Sequence, residues 1–261
     1  MNRRQAGIEA TLTKQLSKGG KCLVPYITGG YTGYLEAISA AAEAGADAIE
    51  IGIPFSDPVM DGPTIQMAND EVLAKGITPA QILHDICALD VDVPLAVMTY
   101  YNVVYRFGLE RFANTLKESF ISGAIIPDLP LIEAKPWIEA AEQSDIETIL
   151  LAAPTTTDAQ LRDICQKSKG FVYAVGLLGI TGAREELADS ATVIADRCKK
   201  ITDKPVLVGV GIGNPEQAKN ISNVSDGCIV GSAIVQKLLD GGGAESVGNL
   251  VGLFRAALDA M

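Results

Sequence analysis

Short apolar, β-branched runs alternate with longer stretches of helical periodicity along the whole chain. Strand-length runs occur at Lys21–Thr28, Ala48–Ile53, Pro94–Tyr100, Gly123–Pro127, Glu147–Ala152, Phe171–Val175, Val206–Gly209 and Gly227–Val230. The period-2 or fully apolar character of these runs predicts strands, and the 3.6-residue pattern between them predicts helices. Helices are expected near Tyr34–Ala44, Thr64–Lys75, Pro79–Leu89, Leu109–Ser119, Ile132–Glu142, Asp158–Lys167, Glu185–Lys199 and Pro215–Ile221. After the last strand two more are expected, at Ala233–Leu239 and Ala244–Ala257.

Eight such βα units predict a parallel sheet closed into a (β/α)8 barrel, a TIM barrel, with extra helices in the loops after strands 2 and 8. An open doubly wound sheet fits less well, because the opening GxGxxG fingerprint is missing. Ile8, Leu12 and Leu16 recur at i, i+4 and i+8, which predicts an extra N-terminal helix under the barrel. No Pro/Ser linker or low-complexity tract divides the 261 residues, so a single domain over 1–261 is expected.

Composition narrows the function. The formal charge is −11, from 21 basic and 32 acidic residues. A nucleic-acid footprint needs clustered Lys and Arg, and none is present. An acidic protein that holds an anion must therefore use backbone N–H groups and helix N-termini. Cys22, Cys87, Cys165, Cys198 and Cys228 form no CxxC pair, so they read as small buried hydrophobes in a reducing cytosol. No apolar run reaches the roughly 18–20 residues of a membrane span, and Arg3-Arg4 precede no signal-peptide core.

In a parallel barrel the chemistry sits at the C-terminal ends of the strands. Glu50 lies inside an apolar strand, between Ile49 and Ile51. Buried there, it must either pair with a core Lys or Arg or carry a raised pKa suited to proton transfer. Asp57 and Asp61 follow in a loop stiffened by Pro54, Pro58 and Pro63. Each is a site carboxylate or a turn and capping residue. Three glycine-rich segments follow strands 6, 7 and 8: Gly179-Ile180-Thr181-Gly182-Ala183-Arg184, Gly209-Val210-Gly211-Ile212-Gly213-Asn214 and Gly231-Ser232-Ala233. Their main-chain N–H groups, with a helix starting at Ser232, suit a phosphate. Gly176, Gly179 and Gly182 permit either a lid or a static connection after strand 6. Tyr100, Tyr173, Thr28, Asn102 and Asp128 lie near strand ends as weaker candidates. The lone His84 falls in a helix far from the expected mouth, and no cluster of metal ligands stands out.

The string Glu50-Ile51-Gly52-Ile53-Pro54-Phe55-Ser56-Asp57-Pro58-Val59-Met60-Asp61-Gly62-Pro63 closely resembles the signature of the tryptophan synthase α family. Leu23-Val24-Pro25-Tyr26-Ile27-Thr28-Gly29-Gly30, Pro127-Asp128-Leu129-Pro130 and the glycine segments match as well, so the resemblance spans nearly the whole chain. It implies a lyase that cleaves indole-3-glycerol phosphate to indole and glyceraldehyde 3-phosphate. It implies Glu50 and Asp61 as the catalytic carboxylates, and Tyr173, Tyr100, Thr181 and Leu23 at the substrate. Gly182, Gly211, Gly231 and Ser232 fall on its phosphate-binding positions, and Asp57 on its contact with a partner β subunit in an αββα assembly. No cofactor is implied on this chain; pyridoxal phosphate belongs to the β subunit. Met60, Gly176-Leu177-Leu178 and Leu23 depart from common versions, Leu23 standing where some members carry an aromatic. A stand-alone indole-releasing lyase, a non-catalytic regulatory α-like subunit and another phosphate-binding barrel enzyme are the alternatives.

Overall fold

Successive residues of a strand point to opposite faces, and in this chain both faces of nearly every strand are buried, as in parallel sheets covered by helices. The computed structural model describes residues 7–176, 184–209 and 211–261. Its strands are β1 (Cys22–Thr28), β2 (Ile49–Gly52), β3 (Leu95–Met98), β4 (Gly123–Ile125), β5 (Glu147–Ala152), β6 (Val172–Ala174), β7 (Val206–Val208) and β8 (Gly227–Val230). They pair in parallel, each with the next, and β8 pairs back onto β1 to close the barrel. The expected (β/α)8 architecture is therefore present.

Outward-facing residues such as Leu23, Ile27, Ile49, Ile51, Leu95 and Val97 pack in one core cluster with the surrounding helices. Inward-facing Val24, Ala48, Ala96, Ile125, Ile149, Phe171, Leu207 and Ile229 fill the axis. Below them Ile8 and Leu12 of α1 (Ile8–Ser17) plug the N-terminal end. Glu147, the first residue of β5, fixes that plug. Its carboxylate accepts the N–H groups of Ile8 and Glu9 at 2.6 and 3.0 Å. Both belong to the free first turn of α1, whose helix dipole also favours the negative charge.

Local rules set the helix starts. α3 (Pro63–Ala74), α4 (Pro79–Ile86) and α10 (Pro215–Ser222) all begin on a proline, whose missing N–H costs nothing at that position. Thr157 and Gln160 form a capping box at α8 (Asp158–Lys167). α2 (Tyr34–Glu43), α6 (Leu109–Glu118) and α9 (Arg184–Lys199) follow the expected pattern. So do α11 (Ser232–Leu239) and α12 (Gly243–Asp259) after β8.

Two elements differ from expectation. A short α5 (Tyr101–Phe107) follows β3 directly. Its start is capped from outside, where Asp128 Oδ1 accepts the Tyr101 N–H at 2.8 Å. α7 runs Lys135–Gln143 and begins later than Ile132, because Leu131–Ala134 make turns instead. Among the described residues no helix is long and apolar enough to cross a membrane.

Candidate active site

The parity of β2 decides the site. Ile49 and Ile51 face the helices, so Glu50 faces the axis, level with Tyr26 on β1 and Ala96 on β3. Glu50 is 1% exposed, and its Oε2 has no hydrogen-bond partner among the described residues. No described Lys or Arg forms an ion pair with it. Of the two fates expected for a buried strand glutamate, this is the raised pKa. Burial first, and then the charge of Asp61, pushes the carboxyl up to about 8.

Asp61 sits in the loop between β2 and α3. Asn69 on α3 donates its amide N–H to Asp61 Oδ2 at 3.1 Å, and the Tyr100 hydroxyl also bonds the carboxylate. Burial nonetheless dominates and raises Asp61 to about 6, with both hydrogen bonds opposing the rise. The loop is pinned around it. Met60 N–H donates to Tyr100 Oη at 3.0 Å, and Gln66 Nε2 donates to the Asp61 carbonyl at 2.7 Å. Phe55 stacks on Tyr100 with ring centroids 5.3 Å apart.

Two phenols close the floor of the site. Tyr26 and Tyr173 lie so near the neighbouring strands that only glycine fits beneath them. A Cβ on Gly52 would stand 1.8 Å from the Tyr26 hydroxyl oxygen, and one on Gly209 2.2 Å from the Tyr173 hydroxyl oxygen. Burial, reinforced by Glu50 and Asp61, holds both phenols well above their ordinary range, so they are neutral hydrogen-bonding groups.

These groups border a cavity of about 500 Å³ at the C-terminal ends of the strands. That volume suits a small-molecule ligand. Ile65, Met98, Leu151, Val175, Ile212 and Ile229 supply an apolar wall. Gly211, Gly231 and Ser232 also line the cavity. α11 opens there with no side chain capping its first turn, so its N-terminal N–H groups and dipole are available to an anion. A wider groove of about 1040 Å³ lies outside the barrel between α7 and α8, away from Glu50 and Asp61.

The sequence-derived candidates therefore divide. Glu50, Asp61, Tyr173, Gly211, Gly231 and Ser232 converge on one cavity. Tyr100 stands behind it and holds Asp61 and Met60. Asp57 is exposed on the same loop, accepting from Ser56 Oγ at 2.7 Å, next to Val59 (78% exposed). Thr181 and Gly182 lie outside the described residues. Leu23 is a correction: it faces the helices and packs in the outer core, not in the cavity. The β1 aromatic on the cavity is Tyr26, which has the inward parity of Cys22 and Val24. Asp128 caps α5, Asn102 is exposed on it, and His84 is exposed on α4. Tyr26 and Asn69 were missed by the sequence reading. No local signal marks either: β1 is buried on both faces, and Asn69 joins Ala68 and Val72 on the buried face of α3 only in the folded chain.

Residues 12–250 match the family model described as "Tryptophan synthase alpha chain". The chain is 40% identical over 235 residues to the tryptophan synthase alpha chain of Streptomyces coelicolor, covering 88% of this chain and 87% of the relative. It is 44% identical over 223 residues to that of Methanosarcina mazei, covering 84% and 82%. Among solved structures, ligand-free tryptophan synthase from M. tuberculosis superposes with a TM-score of 0.87 at 34% identity, over 97% of this chain and 99% of that one. The alpha subunit from Legionella pneumophila gives 0.86 at 29% identity, over the full length of both.

Proposed function

The chain belongs to the tryptophan synthase alpha chain family, the lyases that cleave indole-3-glycerol phosphate to indole and glyceraldehyde 3-phosphate, and we propose that Glu50 and Asp61 are its catalytic carboxylates. The carrying observation is their convergence on one cavity that also receives the uncapped start of α11.

The chemistry accounts for the different environments. Cleavage requires a proton at C3 of the indole ring and loss of a proton from the hydroxyl on the adjacent side-chain carbon. The C–C bond electrons then return to the indolenine, which leaves as indole, and the hydroxyl carbon becomes the aldehyde. Glu50, pushed up to about 8, holds a proton at neutral pH and can deliver it to C3. As carboxylate it can then take the hydroxyl proton, so the two transfers leave it unchanged. Asp61, pushed up only to about 6, is ionised at neutral pH. It accepts the indole N–H as positive charge develops on that nitrogen.

The apolar wall from Ile65 to Ile229 takes the ring. Gly211, Gly231 and Ser232 take the phosphate through main-chain N–H groups, as an acidic protein requires, and Gly182 joins them by family pattern. Tyr173 borders the substrate, Tyr100 acts through Asp61, and Thr181 matches the family's threonine at the substrate. We read the chain as one barrel domain that needs no cofactor of its own. Its partner is a β subunit carrying pyridoxal phosphate in an αββα assembly, contacted through Asp57 and the exposed Val59 and Met60. Indole then passes to that subunit for tryptophan synthesis.

The test is indole release from indole-3-glycerol phosphate, with and without a cognate β subunit. Glu50→Gln is expected to lose about 10³-fold in kcat, and Asp61→Asn about 10²-fold. Slow wild-type release accelerated by the β subunit supports the subunit reading. Fast release indifferent to it indicates a free-standing lyase. Unchanged release in Glu50→Gln overturns the catalytic assignment.

A further inference from the structure

Asp61 is a half-buried carboxylate held by neutral donors alone. Among the described residues it has no ion pair. Two groups hold its side chain: Asn69, through the amide N–H at 3.1 Å, and the Tyr100 hydroxyl. Asn69 is 2% exposed, and its Oδ1 has no partner among the described residues. A buried amide with one unsatisfied end is costly, so packing alone does not account for an asparagine at this position. An apolar side chain of the same volume would remove that cost. What such a side chain could not do is donate to Asp61. Asn69 also sits on a firm support, since α3 packs against β1 and against α11, the helix whose N-terminus faces the cavity.

We propose that Asn69 is a positioning residue that keeps Asp61 ionised and aimed at the indole nitrogen. This inference rests on the role given above to Asp61. The choice of an amide has a physical reason. A hydrogen bond to a charged acceptor is stronger than one to its neutral form, so the Asn69 N–H favours the carboxylate over the acid. A lysine or arginine in its place would hold the carboxylate more tightly and weaken its attraction for the developing indolenine N–H. A neutral donor keeps Asp61 charged without neutralising it.

The other titratable groups that face Asp61 are Glu50 on β2, Tyr26 on β1, Tyr100 after β3 and Tyr173 on β6. The three phenols are neutral through the range of interest, and Glu50 is protonated over most of it. The substrate phosphate also titrates at about 6, but equally for every variant, so a shift of the acid limb between variants reports Asp61.

The experiment measures kcat/KM for indole-3-glycerol phosphate from pH 5 to 9 in wild type, Asn69→Leu, Asn69→Asp, Asp61→Asn and the Asn69→Leu/Asp61→Asn double variant. Loss of one charge-favouring bond is expected to move the acid limb of Asn69→Leu up by about one pH unit, a tenfold change in proton affinity. With the wild-type limb at about 6, the deficit is then about tenfold at pH 5 and about fivefold at pH 6, and it shrinks above pH 7.5. Asn69→Asp places a second carboxylate beside the first and is expected to move the limb further upward. It carries the same readout if Asn69→Leu fails to fold. In the Asp61→Asn background, Asn69→Leu is expected to add no further loss. An acid limb left in place with a loss uniform across pH, or an equal Asn69→Leu penalty in both backgrounds, overturns the inference. If Asp61→Asn alone keeps the wild-type rate, the role given to Asp61 falls first, a result distinct from failure of Asn69.

Discussion

Glu50 and Glu147 are both glutamates set into the strands of one barrel, at opposite ends. Burial raises the pKa of each, and there the likeness stops. Glu147 accepts two backbone N–H groups from the first turn of α1, and these bonds pull its pKa back. Glu50 has an oxygen with no partner and a second carboxylate nearby. The glutamate with satisfied oxygens holds the barrel shut, whereas the glutamate with an unpaired oxygen borders the cavity. An unpaired buried polar atom is a stability cost, and it marks where the fold has given up stability for chemistry.

Exchanging these roles by mutation should produce effects of very different size. The largest is at Glu50. Its folded pKa of about 8 lies above the ordinary 4.5, so the folded state binds its proton more tightly than the unfolded chain does. The stability contribution from this group is full below pH 4.5 and is lost as pH rises through about 8. The inactive Glu50→Gln should therefore be more stable than wild type at pH 9, by about 1–3 kcal/mol. The gap should close near pH 4.5. Thermal melts across that range check it, and a Glu50→Gln chain that is less stable at pH 9 would remove the contrast between the two ends.

A smaller effect on the rate is expected at Gly209, where any Cβ meets the Tyr173 ring. Gly209→Ala must displace Tyr173 or β7, at about 1–3 kcal/mol for overpacking. With Tyr173 displaced from the cavity wall, kcat/KM is expected to fall by about tenfold, the equivalent of roughly 1.4 kcal/mol in the barrier. Wild-type kinetics in this variant would mean that Tyr173 is packing only.

The smallest effect is expected at Glu147. In Glu147→Gln an NH₂ group faces one of two backbone donors, at a cost of about 1 kcal/mol. Tm should drop by about 2–4 °C while the rate of indole release stays unchanged. A change in that rate would mean that the two ends of the barrel are coupled.

Much of this was readable in the sequence. The alternation of apolar runs with helical periods carried the eight βα units, because covered parallel strands are apolar on both faces. Glu50 stood out as the charge in such a run. The unread parts depend on contacts between residues far apart in the chain. α5 is capped by Asp128, 27 positions away, so no local start signal precedes it. Leu23 and Tyr26 differ in parity, and moving one residue along a strand reverses the face presented. Residues 22–28 are all buried, so apolarity could not tell inward from outward. Asn69 looked like any polar helix residue until Asp61 was folded against it.

The plug at the bottom of the barrel also sets an order of events during synthesis. Glu147 lies 139 positions after Ile8, whose N–H it accepts. At ribosomal speeds of about 5–20 residues per second, that carboxylate emerges roughly 7–28 seconds after α1. Through this interval the start of α1 lacks its anchor, and Ile8 and Leu12 lack the inward side chains of β4 to β8 that later surround them. Helix α1 can be locked in place only after 139 further residues have followed Ile8, and until then its apolar face lacks the surface that covers it in the finished barrel.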